Sequence, residues 1–133
     1  MRNSSRVALF HNRSIALMKR FNNGEEYYVF PGGGIENDED PKETAIREAK
    51  EELGVEIKVN DLIHVEHWNG LHHFYTAHIL GGEFGTGLGE EFSSSKRGLY
   101  QPIWYEIDLL SEIDLRPKSM LTKLQSINKN SHP

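Results

Sequence analysis

Three glutamates, Glu48, Glu51 and Glu52, stand at i, i+3 and i+4 in a run of helix-favouring residues. On a helix, that spacing brings three carboxylates within side-chain reach of one another. Charges of one sign so placed repel unless a cation lies among them. A solvated acidic face balanced by Lys42, Arg47 and Lys50 satisfies the same residues, because charge runs usually face water. The run Gly32, Gly33, Gly34 just upstream shifts the balance. Glycines let backbone come close to whatever the carboxylates hold, and hard oxygen ligands with an open approach suit Mg2+ or Mn2+.

The elements that must position these groups are legible from periodicity and turn residues. Residues 6–20 hold two apolar runs around a turn at 11–14, and residues 27–30 are aromatic and β-branched. Strand, turn, strand, a loop over 21–26 and a third strand are expected. Pro31 and the glycine triplet should then stop the sheet and begin a loop. A helix is predicted from Pro41, suited to a first turn, to Leu53, with Gly54 as a left-handed cap. Ala45, Ile46, Ala49 and Leu53 share the arc that would pack on the sheet, next to the arc of glutamates. Strands over 55–59 and 62–68, a turn at Asn69-Gly70, a strand over 72–80, a Gly/Ser-rich loop over 81–98, a strand over 102–107 and a helix from about Pro117 to Asn128 complete the order.

A chain of 133 residues suffices for one compact domain, expected over 5–128. Its net charge of −5 argues against a broad nucleic-acid-binding surface, which needs clustered Lys and Arg. The absence of cysteine excludes disulfides, zinc–thiolate sites and a cysteine nucleophile, so any metal must be held by oxygen or imidazole. No apolar run approaches bilayer length, and residues 1–12 lack a long apolar core with a cleavage site. A cytoplasmic protein with no membrane partner is expected.

Gly33, five residues, Glu39, seven residues, Arg47-Glu48-Ala49, one residue, Glu51-Glu52, one residue, then Gly54-Val55 resembles the Nudix box without a gap. Ala49 is small where the family usually has a larger aliphatic residue. The resemblance implies an α+β fold, a Nudix-type α/β/α sandwich with a mixed β-sheet, in which the box forms a loop-helix-loop. It also implies a hydrolase that cuts a phosphoanhydride of a small nucleotide by water attack on phosphorus, with Mg2+ as cofactor and Mn2+ as a substitute. Such cations neutralise the diphosphate, which a protein of charge −5 would repel, and activate water. On this sequence the resemblance places metal ligands at the Gly33 carbonyl, Glu48, Glu51 and Glu52, an orienting cation at Arg47, and supporting roles at Glu39 and Gly54. Nudix enzymes carry their general base in the box or on a downstream loop, which makes Glu52 the first candidate and Glu91 the second, with Glu51 beside them.

Other candidates are read from the residues. Arg20, Lys96 and Arg97 could meet a phosphate, although exposed surface cations read the same way. Gly32, Tyr28 and Phe30, at and just before the glycine turn, are placed to line a substrate pocket. The pattern Gly85, Gly87, Gly89 lacks the Lys-Ser/Thr ending of a P-loop and reads as a substrate-side lid carrying Glu90 and Glu91. Five histidines lie between 64 and 78, with His64 and Glu66 on one strand face and His67 opposite. They read as strand surface rather than a zinc site. A nucleoside triphosphate, an oxidised dNTP or a nucleoside diphosphate derivative is the expected substrate. ADP-ribose or another nucleotide sugar is the alternative, and a non-catalytic nucleotide sensor is a second class. RNA decapping and long nucleic acid fit the acidic charge poorly, while exposed strand edges leave room for a homodimer.

Overall fold

The computed structural model describes residues 2–87 and 99–130. Strands β1 (Ser4–His11) and β2 (Ser14–Asn22) form a hairpin closed by His11 opposite Ser14, with Asn12 at φ 55° in the turn. Strand β3 (Glu25–Val29) follows, then β4 (Gly32–Gly34), helix α1 (Pro41–Leu53), β5 (Val55–His67) and β6 (Leu71–Gly82). After β7 (Leu99–Glu106) come a 3-10 turn over Ile107–Glu112, β8 (Leu115–Arg116) and helix α2 (Ser119–Asn130).

The strands form a mixed sheet whose pairing order is β5-β6-β1-β2-β3-β8, with β4 added to β1 and β7 added to β2. β1 joins two sets of strands. It runs parallel to β6 and antiparallel to β4, and only its last residues, Phe10 and His11, pair with β2. β2 is held by β3 and β7, both antiparallel.

The apolar runs of β1 and β2 are continuous because both faces of these strands are covered. Val7, Leu9, Ala16 and Met18 pack under Ala45, Ala49 and Leu53 of α1. Ala8, Ile15 and Leu17 point the other way, into a second cluster with Phe30, Phe74, Leu110, Met120 and Leu124. Helices therefore cover the sheet on both sides, the expected α/β/α layering. Each large side chain so buried contributes about 1.5–3 kcal/mol.

Four local expectations are corrected. The glycine triplet, read as a loop, is a strand: Ser4, Ser5 and Arg6 pair with Gly34, Gly33 and Gly32. A Cβ on any of the three would come within 3 Å of a neighbouring atom, so the absence of side chains lets the ladder lie this close to its surroundings. The two strands expected over 55–68 are one, bent by irregularities around Glu56–Ile57, Val59–Leu62 and Leu62–His64. Ile46, expected on the packed face, is 44% exposed. The buried stripe runs through Ala45, Ala49 and Leu53 and takes in Thr44 and Glu52 on either side, which turns Ile46 outward. The last helix starts at Ser119, two residues beyond Pro117, whose carbonyl accepts from the Met120 N–H.

Candidate active site

Helix α1 is fastened at both ends. Asp40 accepts from the Glu43 N–H and Glu43 accepts from the Asp40 N–H, each at 2.9 Å, and Pro41 fills the first turn. At the other end Gly54 adopts the left-handed conformation, φ 79°, and its N–H bonds to Lys50 O. A helix fixed this way presents Arg47, Glu48, Glu51 and Glu52 in a set orientation beside β4.

Arg47 is the hub. Its Nε and Nη2 donate to the two Glu39 oxygens at 2.7 and 3.1 Å, a bidentate pair. Nη1 reaches Glu48 Oε2 at 2.8 Å and Glu51 Oε1 at 3.2 Å, and Nη2 also donates to the Gly34 carbonyl at 3.2 Å. One guanidinium thus binds two helix carboxylates, the loop and the glycine strand. Glu39 also accepts from the Glu36 N–H at 3.0 Å and from Thr44 Oγ1 at 2.9 Å. These bonds, Arg47's first, hold its carboxyl down at about 2. The same acids, Glu39 foremost, raise the Arg47 pKa further, so its charge is locked on.

The glycine strand explains its own composition. Gly32 and Gly34 face one side, where a Cβ would run into Ser5 O and Arg6, and into the Arg2 guanidinium, respectively. Gly33 faces the other side, where a Cβ would lie 2.7–2.8 Å from the Glu48 carboxylate. Glu48 therefore rests directly on backbone. Glu52 is 2% exposed, and its Oε1 accepts from the Gly32 N–H at 2.7 Å. Glu51 is the most open of the three, with its side chain half exposed.

Arg20 sits on the α1 face of β2, two residues on from Met18. Tyr27 and Tyr100 are its register neighbours on β3 and β7, and their ring centroids lie 5.8 and 4.7 Å from its guanidinium carbon. Its Nε is buried and has no hydrogen-bond partner among the described residues. The Tyr100 hydroxyl donates to Glu52 Oε2 at 3.3 Å, which links this cation to the box. Spacing along the chain gave no sign of Tyr100, since β7 reaches Arg20 only through sheet pairing.

Two pocket candidates are corrected. Phe30 is fully buried, edge-on to Phe74, and Tyr28 is buried beside Tyr105. Their rings build the core on the α2 side and offer no face to a ligand. Glu90, Glu91, Lys96 and Arg97 lie outside the described residues. The histidine-rich strands tie elements together: His64 bonds Glu66 at 2.8 Å and both contact Ser119 at the start of α2, while His72 bonds Ser4 and the Trp68 carbonyl.

A model of the NUDIX domain matches residues 1–123, so the chain belongs to the NUDIX family of pyrophosphohydrolases. Solved structures share the fold. A NUDIX hydrolase from Nitrosomonas europaea superposes with a TM-score of 0.74 at 15% identity, over 98% of this chain and 88% of that one. An ADP-ribose pyrophosphatase from Streptococcus suis 89-1591 gives 0.71 at 20% identity, over 98% and 94%. A MutT described from Aliivibrio salmonicida and Vibrio cholerae gives 0.71 at 16% identity, over 94% and 96%. The comparison with curated proteins found no match.

Proposed function

We propose that this chain is a divalent-metal-dependent pyrophosphohydrolase that cleaves a phosphoanhydride bond of a small nucleotide, with water as the nucleophile. The observation that carries the reading is the buried, backbone-anchored Glu52 joined through Tyr100 to the guanidinium of Arg20. An acid set and a partly exposed arginine on one face of the sheet suit a phosphate chain and the metal that accompanies it.

Nudix enzymes generally use divalent cations, and the donors here fit one. Among the described residues no three acids or histidines already form a cage. The donor chemistry is nonetheless right for Mg2+ or Mn2+: Glu48, Glu51 and Glu52 are hard oxygen ligands, and no side chain separates Glu48 from the Gly33 backbone. Those three glutamates and the Gly33 carbonyl would hold the cation. When bound, it supplies charge neutralisation of the diphosphate and activation of water. Arg47 orients Glu48 and Glu51 through its Nη1. Glu52, anchored by Gly32, takes the proton of the attacking water as first candidate, with Glu91 as second. Arg20, partly exposed, donates to a phosphate oxygen through the accessible part of its guanidinium.

A nucleoside triphosphate, oxidised or not, is the favoured substrate class. The Streptococcus suis relative keeps ADP-ribose as the alternative. The deciding experiment incubates the protein with Mg2+ and a panel of triphosphates, oxidised triphosphates, nucleotide sugars and dinucleoside polyphosphates, and resolves the products. Turnover that disappears with EDTA and in Glu52→Gln supports the reading, and the product pair identifies the bond. Saturable binding without turnover, with Mg2+ or Mn2+, would replace it by the sensor reading.

A further inference from the structure

We infer that Tyr100 is a positioning residue that sets both Glu52 and Arg20, each through a different part of its side chain. The inference rests on the proposed reading of those two residues. Tyr100 and Arg20 are paired directly across β7 and β2, so their side chains emerge on one face of the sheet. The ring lies 4.7 Å from the guanidinium carbon, within cation–π range, and the Tyr27 ring flanks the same guanidinium at 5.8 Å. Clamped between rings from both neighbouring strands, the planar head of Arg20 has few orientations open to it. The hydroxyl at the far end of the Tyr100 ring reaches Glu52 Oε2 at 3.3 Å, while Oε1 is held by the Gly32 N–H at 2.7 Å. Both oxygens of a 2% exposed carboxylate are thereby oriented.

The two contacts separate chemically. A phenyl ring keeps the cation–π contact and loses the hydroxyl, whereas an aliphatic side chain loses both. Tyr100→Phe should therefore weaken Mn2+ binding and lower kcat, each about three- to tenfold for a long hydrogen bond to a charged group, with KM little changed. Affinity for inorganic pyrophosphate measured without metal should stay as in the parent. Tyr100→Leu should add about a five- to thirtyfold loss of pyrophosphate affinity and a matching rise in KM.

The test titrates Mn2+, followed by paramagnetic resonance, and pyrophosphate, followed by calorimetry, into the parent, Tyr100→Phe, Tyr100→Leu and Gln101→Ala. Gln101 is the exposed next residue on β7 and serves as the control. Thermal melts confirm that each variant is folded, and if Tyr100→Leu is not, Tyr100→Phe alone still decides the Glu52 half. The split between the two variants is the expected result. Parent-like Mn2+ affinity in Tyr100→Phe, or equal losses of both ligands in both variants, would overturn the inference. Because neither titration needs turnover, failure of the whole substrate panel would sink the catalytic reading and leave the Tyr100 test intact.

Discussion

At the scale of single residues, Arg47 and Glu52 do different work with similar economy. Arg47 gathers Glu39, Glu48 and Glu51, which would repel one another without it, and ties them to Gly34 O. Lysine at 47 would keep the charge and lose the fork. Arg47→Lys is expected to destabilise the fold by about 1–2 kcal/mol and to weaken Mn2+ binding, read by urea titration and paramagnetic resonance. Unchanged values for both would show that the fork is dispensable. Glu52 is buried because it anchors Gly32, and a glutamine there retains an oxygen acceptor for that N–H. Glu52→Gln should melt close to the parent while kcat falls about a hundredfold or more. A variant that melts normally and turns over at the parent rate would remove Glu52 from the chemistry.

Among the elements, β4 and α1 pack side by side, and two adjacent glycines of β4 face different neighbours. At Gly32, φ is 151°, and a Cβ would meet the backbone oxygen of Ser5, which cannot move without unpairing β4 from β1. Gly32→Ala is expected to lose about 2 kcal/mol or more of stability. At Gly33 the obstacle is the far end of the Glu48 side chain, which can swing aside. Gly33→Ala should fold with a melting temperature near the parent's and bind Mn2+ several-fold more weakly. Calorimetry and metal titration on both variants check the contrast. Reversed outcomes would mean that the glycines serve chain flexibility and not close packing.

For the molecule as a whole, acid stability follows from carboxylates held below their ordinary values. Glu39 sits at about 2 against an ordinary 4.5, chiefly through Arg47, and Glu66 is lowered by Ser119 and His64 where α2 meets β5. A carboxyl with a depressed folded pKa contributes fully above its unfolded value and loses that contribution as the pH falls through the folded one. For Glu39 the window runs from about 4.5 down to about 2. The urea midpoint should fall across that range, and Glu39→Gln should flatten the fall. A parallel pH curve for the variant would rule out the linkage. No helix among the described residues is long and apolar enough to cross a membrane.

Local chemistry made much of this site readable. The spacing from Gly33 to Val55, the helix from Pro41 to Leu53 and the Gly54 cap depend on near neighbours, so residue order alone determined them. The tertiary structure decided what depends on distant strands. Pairing with β1 made the glycines a strand, packing against the α2-side core withdrew Phe30, and the β2–β7 register brought Tyr100 to Arg20 and Glu52. Tyr100 stands eighty positions from Arg20 and 48 from Glu52, too far for a local signal; only the closing of the sheet puts its ring beside the guanidinium and its hydroxyl beside the carboxylate.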